Sequence, residues 1–171
     1  MNVLNIVTSP RKDQSASRIL VDAFLHEYMK HADGIVVDTL DVWQEWLPEF
    51  DAERINAKYK GVSGEPMTPA EVAAWEKIGE LASRFQSADR IVMGVPMWNF
   101  SFPYKLKQLI DLSCERNMLF TFDGKRYGPS LDVEKAFVAF VRRQSAAVHR
   151  CQGGRDTNAR TYVGWPCGRH D

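Results

Sequence analysis

Val3-Leu4-Asn5-Ile6-Val7 followed by Thr8-Ser9-Pro10-Arg11-Lys12-Asp13-Gln14-Ser15-Ala16-Ser17 is the stretch on which the fold turns. A short apolar run of this kind has the form of a buried parallel strand, and it passes straight into a polar loop. Beyond Ser17, Ile19, Leu20, Ala23, Phe24 and Tyr28 recur at three- and four-residue steps, which predicts a helix burying that face. Strand, tight loop and helix make the first half of a βαβ unit.

The pattern continues outward. Gly34 breaks the helix before Ile35–Leu40, a second strand, and residues 42–66 form a long connection holding Trp43, Trp46, Leu47-Pro48-Glu49-Phe50 and Gly61-Val62-Ser63-Gly64. One short helix is expected there around Ala52–Tyr59, and connections this long are usually functional or interfacial. Thr68-Pro69-Ala70-Glu71 opens the next helix with a capping box and a first-turn proline. Its expected buried stripe is Val72, Trp75, Ile78, Gly79, Leu81, Ala82 and Phe85. Ile91–Val95 is a third strand, and a helix over about 103–114 buries Leu106, Leu109, Ile110 and Ser113. A hairpin with an Asp123-Gly124 turn spans 118–127, and Ala136–Val141 is a fourth strand. Strands alternating with helices give an α/β fold, a doubly wound parallel sheet covered on both faces.

At 171 residues the chain is long enough for one domain and short for two. Its 44% apolar and 26% charged residues are those of a soluble globular protein, and zero net charge gives no field favouring nucleic acid or anionic membrane. No apolar run approaches the roughly 18 residues of a membrane span, and no basic-then-apolar leader precedes the first strand. Three cysteines, an odd number, argue against a disulfide framework. The expectation is a cytoplasmic protein with reduced thiols.

Composition changes after Val141. Residues 142–171 hold six of the thirteen arginines, none of the nine lysines, and no Leu, Ile, Phe, Met or Glu. Residues 1–141 carry net charge −4 and the tail +4. No periodicity longer than a turn is visible in the tail. The division expected is therefore a domain over 1–141, without a regular fifth strand and last helix, and an atypical tail, disordered or read out of frame. Sequencing the gene across codon 142 tests the frame.

Two turns carry chemistry. In the first, Ser9, Ser15 and Ser17 offer hydroxyls where a helix begins, and a helix N-terminus presents unpaired N–H groups to an anion. Neither G-x-x-x-x-G-K-[ST] nor G-x-G-x-x-G is present, which sets aside a nucleoside triphosphatase loop and the usual dinucleotide fingerprint. The competing reading is a plain solvated loop in which Ser17 caps the helix. The second turn, Pro96-Met97-Trp98-Asn99-Phe100, places large apolar groups and one amide beyond the third strand, suited to a flat ring with a polar edge. Core packing is its competing reading. In a sheet ordered 2-1-3-4-5 these turns follow neighbouring strands and diverge at the switch point, where ligands bind. Together they predict a phosphorylated flat cofactor such as FMN.

With Ser-x5-Ser-x-Ser at Ser9, Ser15 and Ser17, and Pro-Met-[Tyr/Trp]-Asn-Phe at Pro96–Phe100, the chain resembles the FMN-dependent NADH azoreductases, relatives of the flavodoxin-like quinone reductases. Leu47–Asp51 and the helix through Leu106, Lys107 and Asp111 also resemble that family, and the match covers about residues 2–141. The resemblance implies a flavodoxin-like fold, with Ser9, Ser15, Ala16 and Ser17 holding the FMN phosphate. Pro96, Met97, Trp98, Asn99 and Phe100 would line the isoalloxazine. It implies hydride transfer from NADH or NADPH through FMN to an azo compound or quinone, with no catalytic side chain. It also implies a homodimer with flavin at the interface, where Trp43, Trp46, Trp98 and Phe102 are candidate contacts. The family's Ser/Ala-Arg-Gly-Gly turn after strand four reads Val141-Arg142-Arg143-Gln144 here, so that contact is not carried over.

Two rivals stand beside this reading. His149, Cys151, Cys167 and His170 have the residue types of a zinc site in the tail. A truncated flavodoxin-like fold that binds flavin weakly, without catalysis, is the other. His26 and His31, on or just past the first helix, read as solvated surface.

Overall fold

A computed structural model of the chain describes residues 1–142 and the pair Tyr162–Val163. Four parallel strands form the sheet: β1 (Asn2–Val7), β2 (Val36–Asp41), β3 (Arg90–Pro96) and β6 (Lys135–Val141). With the two-residue β7 (Tyr162–Val163), the order is β2-β1-β3-β6-β7. β7 pairs antiparallel, Ala139 opposite Val163 and Phe140 opposite Tyr162. Among the described residues, this brief segment stands where the doubly wound plan has a fifth parallel strand. The zinc candidates His149, Cys151, Cys167 and His170 lie outside the described residues, as does most of the tail. Among those described, no group of three or more metal-ligating side chains occurs.

The strands bury alternate residues on two faces. Leu4 and Ile6 point with Leu40 and Val95 into the larger core, closed by Ile78, Leu81 and Phe85 of α3 (Pro69–Gln86) and by Leu106, Leu109 and Leu112 of α4 (Tyr104–Ser113). Val3, Val92 and Ala139 face the smaller core under α1 (Ala16–His31). There Phe24 stacks on Phe137 with centroids 4.0 Å apart.

The buried stripes differ from the expected ones by about one position. In α1 the buried residues are Ser17, Val21 and Leu25, while Ile19 is 54% exposed and Leu20 lies on the solvent side. A serine opens the true stripe: Ser17 is buried, with its backbone carbonyl against Gly94 of β3 and its hydroxyl turned to Ser15. In α3 Val72 turns outward and Ala74 inward, and in α4 Leu112 is buried beside the half-buried Ile110.

The long connection holds α2 (Ala52–Ser63), longer than expected. Asp51 Oδ1 caps its start by accepting from Arg54 N at 3.0 Å, and Gly64 ends it at φ +73°. The capping box of α3 is complete: Thr68 Oγ1 accepts from Glu71 N, and Glu71 Oε2 accepts from Thr68 N at 2.8 Å. The hairpin forms from β4 (Phe120–Phe122) and β5 (Tyr127–Pro129), with Asp123 Oδ1 accepting from Lys125 N and Arg126 N at 2.8 Å in the turn. Just past α4, Glu115 is fully buried; Lys58 Nζ of α2 stands 2.9 Å from its Oε1, off the direction of a good hydrogen bond. Burial pushes this carboxyl above its ordinary range, and Lys58 pulls it back only in part.

Candidate functional site

The C-terminal ends of β1, β3 and β6 lie in line, Val7 opposite Gly94 and Pro96 opposite Val141. The two turns singled out in the sequence leave the sheet here, and the structure brings them together. Thr8 Oγ1 donates to the Gly94 carbonyl at 2.7 Å, tying the first loop to β3, and Met97 N donates to the Val141 carbonyl at 2.7 Å, tying the second turn to β6.

The first loop ends at an open helix N-terminus. Ser15, not Ser17, is the N-cap residue of α1, and it does not cap: its Oγ lies 3.1 Å from Ser17 Oγ, so the two hydroxyls bond each other. The N–H groups of Ala16, Ser17 and Arg18 have no acceptor among the described residues. A long helix whose first turn is left unsatisfied has the donors and the positive dipole end that an anion takes. Ser9, Ser15 and Ser17 are all buried, while Ala16 is exposed, so the open helix end reaches the surface with the serines packed behind it. Arg11 and Lys12 are exposed at the loop's rim. A cavity of about 10 Å³ lies beneath, bordered by Asn5, Thr8, Ser17 and Gly94. Asn5 Oδ1 is buried there without a hydrogen-bond partner among the described residues.

The second turn is a two-residue reversal. Trp98 N donates to the Ser101 carbonyl at 2.8 Å and Ser101 N returns the bond at 2.9 Å, while Asn99 and Phe100 both have positive φ, +49° and +64°. This is the arrangement of a type I′ turn, which asparagine tolerates and which normally carries glycine second. Phe100 occupies that second place and is 97% exposed. The N–H groups of Asn99 and Phe100 have no acceptor among the described residues. Strained backbone, two N–H groups without a protein acceptor among the described residues and an exposed aromatic ring thus stand together in this reversal.

Every sequence-predicted site residue thus falls at one end of the sheet: Ser9, Ser15, Ala16 and Ser17 at the helix start, and Pro96, Met97, Trp98, Asn99 and Phe100 at the reversal. The competing reading took Ser17 as the cap, where the structure has Ser15, and sequence reasoning named Trp43 only as a candidate subunit contact. That indole donates from Nε1 to the Thr8 carbonyl at 2.9 Å and lies 6.2 Å, centroid to centroid, from Trp98. The signal was its place two residues beyond a strand end on the ligand edge. Trp46 is well exposed, and Phe102 lies at the surface beside the reversal. His26 and His31 are exposed, as expected, with His31 Nδ1 2.8 Å from the Glu27 carbonyl.

Comparison with known proteins agrees with this geometry. The profile of the flavodoxin-like fold family matches residues 1–162. The chain is 57% identical over 145 residues to FMN-dependent NADH:quinone oxidoreductase 2 of Burkholderia lata, covering 85% of this chain and 70% of that protein. It is 42% identical over 164 residues to an FMN-dependent NADH:quinone oxidoreductase of Ruegeria pomeroyi, covering 95% and 80%. In fold it is similar to an azoreductase of Bacillus anthracis, with a TM-score of 0.76 and 24% identity over 86% of this chain and 71% of that one.

Proposed function

Since this chain belongs to the flavodoxin-like fold family, we propose that the end of its sheet holds FMN and that the protein is an FMN-dependent NADH oxidoreductase acting on quinones or azo compounds. One observation carries the reading: among the described residues, five backbone N–H groups without a protein acceptor, three at the start of α1 and two in the reversal, stand on adjacent strand ends. Their spacing along the switch point suits a ligand with an anion at one end and a polar ring edge at the other.

In this reading the N–H groups of Ala16, Ser17 and Arg18, with the Ser9, Ser15 and Ser17 hydroxyls, receive the phosphate. Met97 and Trp98 give apolar contact to a ring face, Pro96 stiffens the approach, and the Asn99 and Phe100 N–H groups bond the ring's polar edge. FMN held by these residues would supply two-electron hydride chemistry between NADH and a quinone or azo acceptor. The chain's own part is to orient the ring, shield it from water and stabilise negative charge on its polar edge with fixed donors. No side chain needs to act as acid, base or nucleophile.

Residues 1–141 form the flavin domain and 142–171 an atypical tail in the same proposal. The protein works as a homodimer: Phe100, Phe102, Tyr104 and Trp46 present exposed aromatic surface around the site, the composition enriched at subunit contacts. The test is the visible spectrum of the purified protein with FMN, followed by NADH without oxygen. A bound flavin that NADH bleaches is the expected result. A folded chain that leaves FMN free overturns the proposal and favours the truncated, non-catalytic alternative.

A further inference from the structure

Trp43 joins the two halves of the site through one side chain. Its backbone is fixed two residues past the end of β2, where Trp43 N donates to Asp41 Oδ1 at 2.9 Å. Its indole Nε1 donates to the Thr8 carbonyl at 2.9 Å, immediately before Ser9 of the anion loop. Thr8 is itself buried and bonded through Oγ1 to the Gly94 carbonyl. The indole ring meets Trp98 of the reversal at 6.2 Å, and Tyr104 at the start of α4 edge-on at 5.4 Å. A half-buried tryptophan satisfies its one N–H, and here the partner is the backbone of the anion loop, which ties the indole to that loop.

We propose that Trp43 is a positioning residue that couples the anion loop to the ring turn, so that an occupied phosphate site improves the seat of the ring. The inference rests on the flavin reading above. Closing the loop on an anion draws on the Thr8 carbonyl, and the indole N–H passes that constraint to the ring system supporting Trp98 and Tyr104. Such coupling is reciprocal: the seated ring must tighten the phosphate site by the same factor.

The experiment compares dissociation constants of FMN and riboflavin, which lacks the phosphate, for the native protein and Trp43→Phe. Phenylalanine keeps an aromatic edge toward Tyr104 and has no N–H for Thr8. The riboflavin-to-FMN ratio of dissociation constants is expected to fall about fivefold in the variant, the factor of one hydrogen bond of ordinary strength. Equal weakening of both ligands means that Trp43 only packs, and overturns this inference alone. A native protein that binds neither ligand overturns the flavin reading and this inference with it. Should the variant not fold, riboflavin binding to the native protein with and without inorganic phosphate decides: several-fold tighter binding with phosphate sustains the coupling, and no change overturns it.

Discussion

Phe100 holds a backbone conformation that a side chain with a Cβ occupies at a cost of about 1–2 kcal/mol. Phe100→Gly is therefore expected to raise the unfolding free energy of the ligand-free protein by about 1 kcal/mol in urea titrations while weakening FMN binding. A variant that loses stability would show that the turn is not strained. Glu115 makes the opposite kind of residue-scale statement. Burial raises its carboxyl above the ordinary glutamate value of 4.5, so the folded protein favours the neutral form. Its contribution to stability is complete below about that value and is lost as pH rises through the folded one. Glu115→Gln should then be more stable than the native protein at pH 7, and the gain should fade toward pH 4.5 in thermal melts taken across that range.

At the scale of elements, the close approach of α1 to β3 sets the site. A Cβ on Gly94 would stand 2.9 Å from the Ser17 carbonyl oxygen, which is backbone and cannot swing aside. Gly94→Ala should cost about 1–3 kcal/mol in unfolding free energy, as overpacking does, and lower FMN affinity by displacing the open helix end; calorimetry and flavin titration check both. Much of this architecture was legible in the sequence. The apolar runs at Val3–Val7 and Ile91–Val95 marked β1 and β3 because parallel strands buried on both faces need such runs. Thr68-Pro69-Ala70-Glu71 marked the start of α3 because its bonds are local. The buried stripe of α1 was misread because apolar periodicity is blind to a serine whose backbone packs against β3. The idle cap at Ser15 was likewise illegible: whether a hydroxyl turns to its own helix or to Ser17 is decided by packing against β3, many residues away. Trp43 could be placed near the ligand edge, but its bond to Thr8 joins residues that only the folded sheet makes neighbours.

For the whole molecule, ligand and fold are linked. FMN at about a hundred times its dissociation constant should stabilise the chain by about 2.7 kcal/mol, a rise of roughly 5–10 °C in melting midpoint for a chain of this size. A midpoint that stays put on adding FMN counts against the site. The sheet has a second consequence, concerning solubility rather than chemistry. β6 reads Lys135-Ala-Phe-Val-Ala-Phe-Val141, and β7 pairs with it only at Ala139 and Phe140, so among the described residues the outer edge from Lys135 to Val138 has no strand beside it. A segment of high strand propensity with an open backbone edge is a template for another chain. Glu134 and Lys135 before it and Arg142 and Arg143 after it flank the apolar run with charge, the place where gatekeepers act. Neutralising the charges at both ends of this strand is therefore expected to lower the yield of soluble protein on refolding, read as the fraction left in the supernatant.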